Sequence, residues 1–374
     1  MRIGIEAQRV FRKNKHGMDY VVLQEVLQLQ KLDHENEYYV FVKPGPDRCI
    51  RSSERVHVVE LEAPTYPVWE QWALPRAARR AGVQLLHCTS NTAPVRCGIP
   101  LVLTLHDIIF MEPRSGGNQS AYQNMGRLYR RAVLPRVLPH CRRIITVSRY
   151  EEQNIVNRMN IAPQRMAMIY NGYNRWFRPT DDPQQLYRRY IDKPGFIFFL
   201  GNTDPKKNTE RTLVGYARYL KRSAVGRQLL MADLDRGYLN TIVRRNNIGE
   251  ILDHLVMPGY IVNSDLPFIY NAAFAFLYTS LRESFGIPLL EAMACGTPVV
   301  TSNTSSMPEI AGPDALLTDP TSADDIADAL LRLETDQQLW QQQRQVGLER
   351  ARHFSWQNTA EQLMQLYREC ATEV

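Results

Sequence analysis

Short apolar runs rich in β-branched and aromatic residues alternate with longer stretches of helical periodicity along this chain, and that alternation constrains its fold more than any other feature. The runs cover residues 2–5, 38–42, 84–88, 101–105 and 143–147, then 195–200, 228–232, 255–257, 273–278 and 298–301. Between them apolar residues recur at helical spacing, as in Val21, Val22, Leu23, Val26, Leu27 and Leu29. Apolar strands separated by helices specify parallel sheets covered on both faces. Two sets of about five strands fit two doubly wound α/β domains better than one large sheet, and 374 residues suffice for two cores. The acidic, Pro-containing stretch RPTDDP at 178–183 marks the joint, giving domains at 1–179 and 180–354. A last apolar helix pattern, 356–370, could pack on either.

Several function classes drop out. No two glycines stand two residues apart, so the dinucleotide-binding GxGxxG cannot occur, and GxxxxGKS/T is absent as well. NAD-dependent dehydrogenases and P-loop NTPases are thereby disfavoured, and phosphate must be gripped in another way. No window of 18 apolar residues offers a membrane span, and residues 1–10 read as a first strand rather than a signal peptide. Six scattered cysteines form no CxxC pair, so the expectation is a reduced, cytoplasmic protein without a zinc site or a disulfide framework. The formal charge of +6 conceals an asymmetry: residues 1–180 hold 26 Lys/Arg against 15 Asp/Glu, and residues 181–374 hold 19 against 24.

Four segments carry polar chemistry where strands should end. Glu283-Ser-Phe-Gly-Ile-Pro-Leu-Leu-Glu291 sets two carboxylates around a helix start at 287–288, with Gly296 placed to close that helix. Carboxylates accept hydrogen bonds from vicinal sugar and ribose hydroxyls, and backbone N–H groups near Phe285 and Gly286 can hold a diphosphate. A loop Glu and a first-turn Glu favoured by the helix dipole would read the same. In Gly201-Asn-Thr-Asp-Pro-Lys206-Lys207-Asn208, Asn208 is expected to cap the next helix. Two lysines ahead of a helix N-terminus oppose its dipole unless a phosphate lies between them, although solvated charges remain the alternative. His106, beside Asp107, falls at the carboxyl edge of a sheet, where ligands bind, and could equally be structural. Gly17, in the 14–18 loop, would let backbone approach a ligand or belong to a loop without a role. Ser148 with Glu151 makes a capping box and is read as structural.

The segment Glu283 to Glu291 with its sequel EAMACGTPVV does not stand alone. With FLGNTDPKKN, TLHDIIF, ITVSRYEEQNI, MIYNGYNRWFRP, DLPFIYNAA and SSMPEIAG it resembles the retaining glycosyltransferases of family 4, from Gly17 to about Asp319. The resemblance implies the GT-B architecture: two doubly wound Rossmann-like domains facing each other across a cleft, with a final helix, 355–374, returning to the N-terminal domain. It implies a nucleotide-diphosphate sugar bound mainly by the C-terminal domain and an acceptor held mainly by the N-terminal one. Glu291 would then hydrogen-bond the ribose, and Glu283 with the Phe285–Gly286 backbone would meet the donor sugar's hydroxyls. Lys207, helped by Lys206, would neutralise the departing diphosphate, His106 would sit near the donor sugar, and Gly17 would close over the phosphates. No cofactor and no divalent metal are implied. No carboxylate nucleophile for a double displacement is evident, which favours acceptor attack from the leaving-group face with Glu283 orienting the donor.

The segments WEQWALPRAARR and HDIIF resemble a subset rich in mannosyltransferases, which makes GDP-mannose the first donor and a UDP-sugar the next. The expected product is a cell-surface polysaccharide or glycolipid, built on a glycan or lipid-linked acceptor. Two other classes are weighed. A GT-B sugar-nucleotide epimerase or phosphorylase is disfavoured by the paired glutamates with KKN. A basic nucleic-acid-binding protein would interleave aromatics with its Lys/Arg at regular spacing, and this chain does not, so no nucleic acid partner is expected. Seven arginines between Arg127 and Arg149 meet no acidic residue and alternate with apolar ones. Arg127, Arg130 and Arg131 would face anionic lipid headgroups, peripheral on the inner face of the cytoplasmic membrane, unless the helix is merely solvated.

Overall fold

The alternation folds into two parallel sheets, each in its own compact unit. The computed structural model describes residues 1–112, 121–182, 184–232 and 234–372. Pro183 of the expected joint and the last two residues of the expected final helix therefore lie outside the described residues. One unit takes the described residues up to Gly172 together with those from Ser355 onward, and the other takes Tyr173–Phe354.

In the first unit β1 (Arg2–Glu6), β2 (Glu37–Val42), β3 (Val56–Glu60), β4 (Leu85–Cys88), β5 (Leu101–Thr104), β6 (Cys141–Thr146) and β7 (Met166–Met168) form one sheet, ordered β3-β2-β1-β4-β5-β6-β7. In the second unit β8 (Ile197–Leu200), β9 (Leu229–Ala232), β10 (Leu255–Val256), β11 (Ala275–Tyr278), β12 (Val299–Ser302) and β13 (Leu316–Thr318) are ordered β10-β9-β8-β11-β12-β13. Every pairing is parallel. In both sheets the order reverses beside the first strand, between β1 and β4 and between β8 and β11. At such a reversal the connections leave to opposite faces and open a crevice at the carboxyl edge.

Strand residues alternate between two cores. Leu85 and Val102 join Ile3 and Ile5 beneath the helix Gly17–Leu32, whereas Leu86, Leu101 and Leu103 join Leu134 and Val137 of the helix Ala121–Val137 on the other face. In the second unit Ile197, Phe199, Leu277 and Val300 pack against Leu213, Tyr216, Ile326 and Leu330. Phe198, one residue out of step, joins an aromatic cluster with Tyr270 and Phe276 at centroid distances of 5.4 and 5.5 Å.

Ten of the thirteen strands among the described residues coincide with the apolar runs. The three that do not, β3, β7 and β13, are all edge strands of three to five residues. An edge strand has one neighbour and an open side, so its sequence need not be continuously apolar. Ser148 caps the helix Arg149–Met159 as expected, its Oγ accepting from the Glu151 N–H at 3.2 Å.

Candidate active site

At the reversal of the second sheet, two loops leave adjacent carboxyl edges. One follows β8 and carries Lys206 and Lys207; the other follows β11 and carries Glu283. The Leu281 N–H donates to the Lys206 carbonyl at 2.7 Å, which fixes the loops to each other. Asn208 does the same from below, its Nδ2 donating to the carbonyls of Thr279 and Pro320 at 3.0 and 2.7 Å. This corrects the expected cap. Asn208 occupies the N-cap position of the helix Thr209–Arg222, but its backbone is left-handed, with φ of +60°, and its side chain holds loops instead of the helix end.

The result is an ion pair: Lys207 Nζ donates to Glu283 Oε1 at 2.6 Å, with both side chains largely shielded from solvent. The same ammonium lies 5.8 Å from the centroid of the Tyr278 ring. The Tyr278 hydroxyl is hydrogen-bonded to Glu283, and burial together with that carboxylate pushes the phenol well above its usual range. Lys206 turns instead toward Asp204, at 3.5 Å. The backbone of Glu283 is pinned as well: its N–H donates to Ser305 Oγ at 3.0 Å, and its carbonyl accepts from Ser305 Oγ and Ser306 Oγ at 2.7 and 3.0 Å. Arg282 adds a second cation to this loop and donates to the Glu283 carbonyl at 3.2 Å.

The chain then enters the helix Ile287–Ala294 with Pro288 in its first turn. Gly286 stands at its N-cap with φ of +106°, and a Cβ there would meet Tyr278 at 3.3 Å, so glycine is required. Phe285 is buried against Phe354 at 5.9 Å, and its carbonyl accepts from Ser306 Oγ at 3.1 Å. Gly296, at φ of +76°, ends the helix; its N–H reaches the Met293 carbonyl and that of Thr297 reaches Ala292, a Schellman pattern. Glu291 lies in this helix half-buried, where desolvation raises its carboxyl to about 8. The buried Tyr270 hydroxyl has no hydrogen-bond partner among the described residues and is close enough to Glu291 to be raised by its charge.

The remaining candidates belong to the first unit. His106 is buried after β5; its N–H bonds Asn91 Oδ1 at 2.7 Å and its Nε2 donates to the Thr89 carbonyl at 2.9 Å. Burial lowers its pKa, so the ring is neutral and Nδ1 is its acceptor nitrogen. Gly17 is not loop but the first residue of a 16-residue helix, with open space around it. Arg127 donates its Nε to the Phe110 carbonyl at 3.0 Å and bonds the Glu112 carbonyl, Arg130 lies 5.5 Å from the Phe110 ring, and Arg131 alone of the three is exposed. The structure thus brings together Lys207, Glu283, Phe285 and Gly286 in one unit, with Glu291 on the same helix, and keeps His106 and Gly17 in the other. Tyr278, Arg282, Ser305 and Ser306 were not singled out from sequence. The signal for the serines lies in the SSMPEIAG segment, and for Arg282 in its position next to Glu283.

Two family models divide the chain between them. One, described as Glycosyltransferase Family 4, matches residues 16–176; the other, described as Glycosyl transferases group 1, matches residues 187–354. O-antigen chain mannosyltransferase B of Escherichia coli is 30% identical over 276 residues, 71% of this chain and 70% of that protein. The serotype-specific mannosyltransferase WbdA of Escherichia coli is 28% identical over 234 residues, 58% of this chain and 27% of that protein. Among solved structures, Anabaena HepE in complex with UDP and glucose matches with a TM-score of 0.74 at 16% identity, over 99% of this chain and all of that one. That likeness is one of fold, and the fold is GT-B.

Proposed function

The chain belongs to the family 4 glycosyltransferases, and on that premise we propose that it moves a hexose from a nucleotide-diphosphate sugar to a glycan or lipid-linked acceptor in building a cell-surface polysaccharide, with retention at the anomeric carbon. GDP-mannose is the first donor in this reading, in keeping with the mannosyltransferase name of its Escherichia coli relative. A UDP-sugar is the next, in keeping with the UDP held by Anabaena HepE. The observation that carries the reading is the Lys207–Glu283 pair at the reversal of the second sheet.

The chemistry asks for charge where charge develops. As the bond from the anomeric carbon to the β-phosphate oxygen breaks, negative charge collects on the diphosphate. An ammonium already fixed in position stabilises it without further reorganisation. Glu283 fixes that ammonium before the donor arrives, and Lys207, with three donor hydrogens, can keep Glu283 while it takes a phosphate oxygen. The second Glu283 oxygen is then available to orient the sugar's hydroxyls. The acceptor hydroxyl forms the new bond to the anomeric carbon from the face that the diphosphate leaves, and its proton passes to the departing phosphate oxygen. Glu291 would accept from the ribose diol. Neutral His106 would hydrogen-bond the donor sugar, and Gly17 would admit phosphate to the end of its helix. No resident metal takes part in this reading.

Turnover of GDP-mannose, and of UDP-sugars in parallel, tests it. With its acceptor the wild type transfers hexose in the presence of excess EDTA, and Lys207→Ala and Glu291→Ala each lower kcat/KM, the first by about a hundredfold. If both variants stayed within about threefold of wild type, the site assignment would be wrong. We also propose that the first unit docks on an anionic membrane surface from the cytoplasmic side, through the exposed face of the helix that carries Arg131.

A further inference from the structure

The first unit also contains a cavity of 600 Å³ at the carboxyl edge of its sheet. Arg9 and Arg12 reach it from the segment after β1, Lys43 from the residue after β2, Tyr66 from the segment after β3, and Tyr129 and Arg130 from the helix Ala121–Val137. Among the described residues four cations line it, and no carboxylate does.

The lining is built, not incidental. Gly45 packs so closely on the chain after β1 that a Cβ there would sit 2.3 Å from the Phe11 carbonyl oxygen. The Lys43 N–H donates to the Gln8 carbonyl at 3.1 Å, which locks the segments bearing Arg9 and Lys43 together. Behind the floor lies Glu70, wholly buried and paired with no cation among the described residues. Its carboxylate accepts from Tyr66 at 2.7 Å, Thr92 at 2.5 Å, Gln71 at 2.8 Å and the Tyr129 hydroxyl. Both tyrosine hydroxyls are therefore committed to Glu70, and what the tyrosines offer the cavity is their rings, edge to face at 81° and 5.7 Å between centroids. The Arg9 guanidinium lies 5.4 Å from the Tyr66 centroid, and Arg12 is steadied by Asp19 at 2.8 Å.

A neutral sugar is gripped through its hydroxyls by carboxylates and amides, as Glu283 and Glu291 would do in the other unit. A cavity with four cations and an aromatic floor suits a different ligand. Guanidinium groups bind phosphate oxygens in pairs, while an aromatic face takes the apolar face of a sugar ring. We infer that this cavity receives the acceptor, and that the acceptor end it holds is a sugar bearing a phosphate or diphosphate. The inference rests on the glycosyltransferase reading and names the acceptor's chemical class.

Direct binding to the full chain tests it, with mannose 6-phosphate, mannose, inorganic phosphate and a detergent-solubilised prenyl-diphosphate-linked hexose as probes. GDP is titrated on the same proteins to read the donor site separately. The phosphorylated sugar should bind at least about tenfold more tightly than mannose and than inorganic phosphate. The preference should vanish in the Arg9→Gln/Lys43→Gln variant, while GDP affinity changes less than about twofold. Lys43→Gln alone, at an exposed side chain, should weaken the same preference, so the test survives if the double variant fails to fold. Tighter binding of the prenyl-diphosphate hexose than of mannose 6-phosphate would identify a lipid-linked acceptor, and the reverse order a soluble sugar phosphate. Equal binding of mannose and its phosphate, or of inorganic phosphate and the sugar phosphate, would overturn the inference. So would parallel loss of GDP binding in the double variant, because the cavity would then serve the donor. Failure of the wild type to bind any nucleoside diphosphate would instead count against the function proposed above.

Discussion

In the proposed ribose contact, Glu291 would face two opposing demands on one proton. Free of ligand, its half-buried carboxyl is raised to about 8 by desolvation and is protonated at neutral pH. A ribose diol donates hydrogen bonds, and donation to a carboxylate favours the charged form. Binding of a nucleoside diphosphate should therefore expel a proton, and affinity should climb as pH rises toward 8. Glu291→Gln has no proton to lose. The ratio of wild-type to variant affinity for GDP, which cancels the titration of the nucleotide itself, should grow by up to about tenfold per pH unit between pH 6 and 8. A ratio that stayed flat across that range would remove Glu291 from the ribose contact. At this scale the sequence was informative wherever a residue type has few other uses. Chemistry and spacing pointed to the paired glutamates and the second lysine of KKN, and the structure sets that lysine against Glu283. Tyr278 could not be found in this way, because a tyrosine ending an apolar strand has many ordinary explanations, and the serines carried a signal only through the SSMPEIAG segment. Their roles come from β11 and β12 lying side by side, and that adjacency is not local in the chain.

The helix Trp356–Thr372 is joined to the first unit by contacts that admit little substitution. A Cβ on Gly172 would lie 2.1 Å from the Trp356 backbone nitrogen and 2.4 Å from the Ser355 carbonyl carbon, so the chains touch backbone to backbone. Thr359 Oγ1 donates to the Tyr170 carbonyl at 2.7 Å. Further along, the Tyr367 hydroxyl meets His87 Nδ1 at 2.7 Å, while Thr104 takes the other ring nitrogen at 2.7 Å. Burial lowers that histidine to about 3, so it stays neutral in this chain of hydrogen bonds. Gly172→Ala cannot be absorbed by a side-chain rotation. It should cost about 3 kcal/mol, at the upper end of overpacking effects, and lower Tm by several degrees in a thermal melt. A melt within one degree of wild type would mean that the helix start moves freely. At this scale the fold was legible for central strands, whose burial on both faces forces continuous apolar sequence. It was poorly legible for β3, β7 and β13, which are short and have one neighbour each. The ends of helices read well where the cap is chemical, as at Ser148 and Gly296, and badly where a cap residue serves elsewhere, as at Asn208.

For the molecule as a whole, the uneven charge takes on more definite meaning once the arginines are located. Of the basic cluster that begins at Arg127, the guanidinium of Arg127 itself is spent on backbone carbonyls and that of Arg130 reaches the cavity, while Arg131 and Arg136 project outward. The outward face of the helix Ala121–Val137 also presents Leu128, 65% exposed, while Met125, equally exposed, lines the cavity. The neighbouring segment, joined to this helix through the bonds of Gln71 and Glu70 to Tyr129, presents Trp72 at 68% exposure. Large apolar side chains beside outward arginines suit an anionic headgroup layer, each cation adding about 1 kcal/mol and the apolar groups entering the interface. No helix among the described residues is long and apolar enough to cross a membrane. Co-sedimentation with vesicles rich in phosphatidylglycerol should exceed that with phosphatidylcholine and fall as salt rises. The Arg131→Glu/Arg136→Glu variant, which alters neither the cavity nor the carbonyl clamp, should lose at least about tenfold in binding. The Leu128→Ala/Trp72→Ala variant should weaken attachment without changing its salt dependence, since those residues contribute area and no charge. Equal binding of the wild type to both lipids would remove electrostatics from the account, and the concentration of arginine in this half of the chain would then have to be explained by the anionic acceptor alone.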